Sequence, residues 1–588
     1  MELRDLHPVR YAGVRLILMA DSRPSILYIL RGVMRRWVFF VLCCASFAAA
    51  QSQVGSGPIV TIDSGTLEGG HFGSAPREVM FLGVPYAAPP TGERRWKPPQ
   101  DVEKWQGTRK ANAYGAACPQ PEKADTAEFA KELVATRDPY FTYRTDEDCL
   151  YLNVWTTNLP ANHHAKHPVM FWIHSGSNIS GSSQETPLGP SLARKGVVLV
   201  TTNYRLGALG FMAHPALTDE SPHHASGNYG ILDQIAALEW VQRNITKFGG
   251  DPASVTIFGQ SGGSAAVCRL MASPQARGLF QRGILESGTC NDNVLPELKA
   301  SANSRDWVGA AETTGMRLMG DLAVPVGPSA LAKLRSKTAK EIMEASQRDK
   351  SLYFSPAIDG WVFTEQTATT FAQGRQAKVS VIVGSNSDEA TLMYTATPTL
   401  DNYKTFVKNQ FVNDADEVFK VYPATSDADA PGAFLALQTD WGWGFPAHRV
   451  AVDTVRAGQK AWLYHFSYPA RAKHYAGLGA FHGIELKFLT GWYFPSRWGD
   501  PDAEDKKMAD VMTGYWTQFA KTGDPNGPNL PAWPAYDPKA DLLLEIGREI
   551  KPRPTPHEDS FAVFDHILSS KLAATQQGET PGGTTAQK

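Results

Sequence analysis

The sequence predicts an α/β architecture, a large and mostly parallel central sheet flanked by helices, and three observations carry that expectation. The run FGGDPASVTIFGQSGGS (248–264) joins a short apolar strand to a following helix through a glycine-rich turn. Further apolar runs at 169–173, 379–383 and 462–466 read as strands. Ile231, Ile235, Leu238 and Val241 repeat at the helical period, as a helix covering one face of a sheet requires.

In chain order, Met34-Arg35-Arg36 is a basic start, 37–47 is an apolar run and Ala48-Ala49-Ala50 fits a small-residue cleavage site. This is the pattern of a secretory signal over 34–50, with residues 1–33 an upstream segment preceding the true start and the mature chain beginning at Gln51. The apolar run is too short for a comfortable membrane span, so no stable span is expected after cleavage. One large domain is expected over 51–569. Within it the strand at 169–173 leads into His174-Ser175-Gly176-Ser177-Asn178. Val255, Ile257 and Phe258 form the next strand, and a helix occupies 265–271. Segment 295–375 is helix-rich, 379–383 ends in GSNSDE (384–389), 395–460 is a helical insertion and 508–521 forms a late amphipathic helix. The Gly, Thr and Gln content of 570–588 reads as a flexible tail.

Composition narrows the function classes. The 588 residues, 43% hydrophobic and 20% charged, suffice for one large core. A net charge of −2 gives no electrostatic reason to expect nucleic acid as a partner. The chain carries no phosphate loop, dinucleotide fingerprint or metal-ligand spacing, so neither cofactor nor metal is expected. His163-His164 and His223-His224 read as solvated loop pairs. Nothing in the sequence speaks to oligomeric state.

The chemistry centres on Gly259-Gln260-Ser261-Gly262-Gly263. A lone G-x-S-x-G arises often by chance, but here it sits between strand and helix, where a tight turn holds the Ser261 hydroxyl clear of the backbone. Glycines at 259 and 263 leave room for the close approach of strand and helix. A serine nucleophile needs a base, and the base needs a third group to orient it. Acids stand at the C-terminal end of the 379–383 strand, and Phe481-His482-Gly483 follows the strand at 462–466, giving the order serine, acid, histidine.

Several separate segments then resemble one family, the type-B carboxylesterases of the cholinesterase-like branch of the α/β-hydrolases. They are FLGVPYAAPPTGERRW (81–96), EDCLYLNVW (147–155), NYRLGALGF (203–211), GNYGILDQIAALEWVQRNITKFGGDP (227–252), GSNSDEA (384–390), FHGIEL (481–486) and FAKTGDPN (519–526), in the family's order from about Gly65 to Tyr536. The resemblance implies an α/β-hydrolase fold and hydrolysis of a small-molecule ester, with Ser261 as nucleophile, Glu389 as acid and His482 as base. Asp388 is the rival acid. The implied oxyanion donors are the amides of Gly176, Ser177 and Gly262.

The resemblance also sharpens the departures. Where the family shows H-G-G-G-F or H-G-G-A-F, this chain has His174-Ser175-Gly176-Ser177-Asn178. Ser175 is the expected point of backbone strain, because a β-carbon resists positive φ where glycine is usual. Ser177 and Asn178 are expected to make the pocket rim more polar than usual. Six cysteines include Cys43 and Cys44, which leave with the signal. An even remainder in an exported chain suggests two disulfides. The resemblance pairs Cys118 with Cys149, leaving Cys268 with Cys290. The charge-rich stretch between Cys118 and Cys149 stands where lipases of the family carry a lid, and favours soluble esters over interfacial lipolysis. Arg95 and Glu147 match a structural ion pair. The sequence therefore points first to a secreted or periplasmic serine carboxylesterase. A lipase or a hydrolase of polar esters (toxin, phenolic or polyester substrates) is the alternative, and a non-catalytic binding module is disfavoured because all three catalytic positions match.

Overall fold

The structure, a computed structural model, describes residues 57–121, 144–159, 166–184, 188–288, 290, 295–299, 309–394, 397–469, 471, 475, 477–491 and 500–576. The signal-like segment, most of the lid region and His163-His164 lie outside these residues. A small sheet is formed by β1 (Ile59–Ile62), β2 (Gly65–Glu68) and a short strand Thr108–Lys110. The main sheet has 11 strands, and its centre is the parallel array β3 (Val198–Thr202), β4 (His167–Ile173), β5 (Gly250–Gln260), β6 (Arg282–Glu286), β7 (Ser380–Asn386), β8 (Ala461–Phe466) and β9 (Leu542–Ile546), in that spatial order. Antiparallel strands close both edges.

The central strands are apolar on both faces because helices cover both. Val169 to Ile173 are fully buried, as expected of a parallel strand between two helical layers. Phe171, Ile257, Val383 and Leu463 belong to one core, shared with α1 (Tyr229–Asn244). Trp172, Phe258, Ile382 and Trp462 face the opposite core, shared with the long helix Ala503–Thr522. That helix starts at a capping box, Asp502 with Asp505, and stops at left-handed Gly523, φ 77°. Such a cap contributes about 1 kcal/mol. Arg205 and Asp233 form a fully buried, two-point ion pair of 2.7 Å that ties the loop after β3 to α1. Arg95 donates from Nε and Nη2 to the two carboxylate oxygens of Glu147 at 2.5 and 2.6 Å.

Both disulfides are formed, Cys118 with Cys149 and Cys268 with Cys290, with Cα separations of 5.0 and 5.3 Å. The strand expected over 379–383 runs instead to Asn386. Gly384, Ser385 and Asn386 look like a turn in sequence but pair with Tyr464, His465 and Phe466. Gly384 allows this because any Cβ there would sit 2.4 Å from the Tyr464 ring. The tail expected from 570 starts too early, because the helix Glu558–Gln576 includes its first residues; 577–588 lie outside the described residues. Phe564, Ile567, Leu568 and Leu572 dock that helix onto Tyr403, Phe411, Tyr422 and Phe445 of the 400–456 insertion. Among the described residues no helix is long and apolar enough to cross a membrane.

Candidate active site

Ser261 stands between β5 and α2 (Gly262–Ala272) at φ 54°, ψ −121°. A non-glycine residue held there carries roughly 1–3 kcal/mol of strain, and its surroundings over-determine it. Its amide donates to the Glu286 carbonyl at 2.9 Å and its carbonyl accepts from Ala265 at 3.0 Å. The flanking glycines are sterically required. A Cβ on Gly259 would lie 2.6 Å from the Gly263 carbonyl carbon, and one on Gly263 would lie 2.1 Å from the Ile173 oxygen.

β7 and β8 deliver the other two candidates. Glu389, fully buried, follows β7; its Oε1 accepts the Asn386 amide at 2.7 Å and its Oε2 lies 2.6 Å from His482 Nδ1. Asp388 faces elsewhere, accepting the Ala480 amide at 2.9 Å and so pinning the loop that carries His482. Burial pushes the imidazole pKa down, but the charge and hydrogen bond of Glu389, with the charge of Glu485, outweigh it and leave the pKa raised. Glu485 is itself raised, by burial and by the nearby Glu389 charge, against the lowering effect of its hydrogen bond from Asn386 Nδ2 at 2.5 Å.

The oxyanion loop departs from expectation in where it is strained. Ser175 has an ordinary φ, and the positive values fall on Gly176 (100°), Ser177 (52°) and Asn178 (62°). Asn178 tolerates the left-handed region through its short polar side chain. It is buried rather than part of the rim, while Ser177 is exposed. A Cβ on Gly262 would lie 2.5 Å from the Ser177 nitrogen and 3.5 Å from that of Gly176, so the three expected donor residues converge beside Ser261. His174 is an internal strut. It stacks on Tyr204, its Nδ1–H donates to the Ser175 carbonyl at 2.8 Å, and burial lowers its pKa to about 4.

Three residues to which the sequence assigned no role, Gln260, Trp443 and Glu485, join the site. Gln260 Nε2 lies 3.2 Å from His482 Nε2, and Ser175 Oγ lies 2.8 Å from Gln260 Oε1. The Trp443 ring packs 5.1 Å from the His482 ring, carried on the π-helical turn Asp440–Gly444. Glu485 acts through its charge. Gln260 and Glu485 are flagged in sequence only by lying within the quoted motifs, and Trp443 carries no signal at all. Among the described residues no group of His, Cys, Asp and Glu is arranged to hold a metal ion.

A strand–serine–helix turn on a parallel sheet, with an acid and a histidine delivered by later strands, defines an α/β-hydrolase. The sequence pattern of the carboxylesterase family matches residues 56–563, and the chain belongs to that family. It is 34% identical to the fumonisin B1 esterase of Sphingopyxis macrogoltabida over 79% of this chain and 82% of that protein. It is 32% identical to the para-nitrobenzyl esterase of Bacillus subtilis (strain 168), over 80% and 91%. A solved structure of a PNB esterase superposes with a TM-score of 0.71 at 29% identity, covering 87% of this chain and 99% of that one. The protein is a carboxylic-ester hydrolase.

Proposed function

We propose that the chain is an exported serine carboxylesterase that works through an acyl-enzyme on Ser261. Ser261 Oγ bonds to the ester carbonyl carbon while its proton passes to His482 Nε2. The tetrahedral oxyanion is held by the amides of Gly176, Ser177 and Gly262, each such donor being worth about 100- to 1000-fold in turnover. His482 returns the proton to the departing alcohol, and water then repeats the sequence to release the acid. Glu389 keeps the single imidazole proton on Nδ1 and stabilises the imidazolium. The observation carrying this reading is the 2.6 Å contact of Glu389 with His482 beside a serine held at positive φ. Export is supported by the signal-like 34–50 segment together with two disulfides. A second reading, preference for polar esters, is favoured by the exposed Ser177 at the oxyanion loop and by the similarity to a protein named as a fumonisin B1 esterase.

The test is hydrolysis of 4-nitrophenyl esters from acetate to palmitate by the chain from Gln51 and by Ser261→Ala, with mass spectrometry of a quenched turnover. Activity on short chains, an acylated Ser261 peptide and loss of both in the variant are expected. Undiminished turnover by Ser261→Ala overturns the assignment.

A further inference from the structure

The contacts around Gln260 have a direction. Glu389 is an acceptor at Oε2, so the imidazole proton is on Nδ1 and the Nε2 of neutral His482 presents a lone pair. An amide nitrogen can only donate, so the 3.2 Å contact is a hydrogen bond from Gln260 Nε2 to His482 Nε2. That turns Gln260 Oε1 to Ser175, whose single hydroxyl proton is shared between it at 2.8 Å and the Gln260 main-chain oxygen at 2.9 Å. The chain of donors thus runs from Ser175 through Gln260 and His482 to Glu389. In this arrangement the nitrogen that would accept the serine proton already has a donor in Gln260.

Resting on the triad reading above, we propose that Gln260, held in place by Ser175, is a positioning residue that latches the base nitrogen of His482 in the resting enzyme and is displaced by Ser261 when substrate binds. The latch depends on the Ser175 hydroxyl, at a position where the resemblance noted above implies a glycine. Two consequences are opposite in sign. A donor at Nε2 stabilises neutral imidazole, the form that can act as base. The same donor opposes the imidazolium, whose Nε2 carries a proton of its own, so the latch has to open before proton transfer. The other groups facing His482 are Glu389 from the turn after β7, Glu485 from its own loop and the uncharged Trp443 from the π-helical turn. Both carboxylates favour the imidazolium, burial opposes it, and Gln260 is the hydrogen-bonding group that adds to that opposition.

The deciding experiment is the pH profile of kcat/KM for wild type, Gln260→Met, Ser175→Ala, the double variant and Ser175→Thr. Loss of the donor raises the acid limb by about half to one pH unit in Gln260→Met, the range set by one hydrogen bond. Ser175→Ala moves it the same way by less, Ser175→Thr restores it by keeping the hydroxyl, and the double variant moves no further than Gln260→Met alone. An acid limb that stays fixed or falls in folded Ser175→Ala and Gln260→Met overturns the latch. Should Gln260→Met fail to fold, Ser175→Ala and Ser175→Thr decide alone. Labelling of Ser261 by a nitrophenyl phosphonate separates the two readings: a labelled serine with a fixed limb refutes only the latch, whereas an unlabelled serine refutes the triad as well.

Discussion

The packing between β4 and the nucleophile turn makes Gly263→Ala a stringent test of how the site is assembled. The added Cβ would sit 2.1 Å from the Ile173 carbonyl oxygen and 3.0 Å from both the Ile173 carbonyl carbon and the His174 oxygen, against an ordinary contact that begins at 3.4 Å. All three obstacles are main-chain atoms, so no side chain can rotate away, and strand and helix must part by roughly 1 Å, a displacement on the scale that costs about 100-fold in rate. The atoms displaced lie at the end of β4, which continues directly into Gly176 and Ser177. Overpacking of this kind destabilises by about 1–3 kcal/mol, leaving the protein folded. Turnover of 4-nitrophenyl acetate should therefore fall about 100-fold with KM little changed, read beside a urea midpoint that confirms folding. Gly278→Ala is the control, since its φ of 85° strains an alanine but a Cβ there meets nothing within 4 Å. It should lower stability slightly and leave turnover alone. A folded Gly263→Ala enzyme with kcat within a few-fold of wild type would refute the claim that this contact registers the oxyanion loop on Ser261.

Glu485→Gln keeps an oxygen for Asn386 but removes a charge that raises the His482 pKa, so the acid limb of kcat/KM should move to lower pH, and activity should persist where wild type is losing it. A shift to higher pH in that profile would contradict the assignment. Arg205→Met leaves the fully buried Asp233 without its partner and should lower the urea-derived stability by about 3–5 kcal/mol; a midpoint close to wild type would show that the pair contributes little. Replacing Cys268 and Cys290 with alanine opens a link across 22 positions and should lower stability by about 3 kcal/mol, measured by thermal or urea unfolding.

What could be read in sequence were the groups whose place is set by a local element. Ser261 and Glu389 stand close beyond apolar strands, and His482 lies on the loop that follows β8, so each is ordered along the chain by a strand that its own pattern reveals. Gln260 is separated from His482 by 222 positions and from Ser175 by 85, so its role depends on how two loops meet across the sheet. Trp443 reaches the imidazole from a helical insertion whose register no local pattern sets. The misplaced end of β7 has the same origin. Glycine, serine and asparagine favour turns in isolation, yet the ladder to Tyr464, His465 and Phe466 keeps them extended. At the C-terminus a polar composition concealed Leu572, one of several apolar residues on a helix that docks against the 400–456 insertion.

The tolerance of the oxyanion loop for polar side chains has a physical basis in where its constraints lie. Donor direction depends on the dihedrals of Gly176 and Ser177, and these are set mainly by contacts to the loop's main chain, with Ser175 the one differing side chain that adds a tie. The Gly176 carbonyl accepts the amides of Ile179 and Ser180 at 2.9 and 3.0 Å, and the Asn178 carbonyl accepts that of Gly207 at 2.7 Å. Gln120 grips the next residues from outside, accepting the Gly181 amide at 2.9 Å and donating to the Gly181 carbonyl at 3.0 Å. On the inner side, Ser175 Oγ reaches the main-chain oxygen of Gln260, the residue before the nucleophile. A loop pinned at both ends and through its middle can hold Ser177 and Asn178 at positive φ, each opposed by roughly 1–3 kcal/mol of strain. Replacing Asn178 with an aromatic would therefore load both a buried side-chain site and a backbone held at φ 62°, one residue from the Ser177 donor. Replacing Ser175 with glycine would remove a tie between the donor loop and the strand that presents the nucleophile.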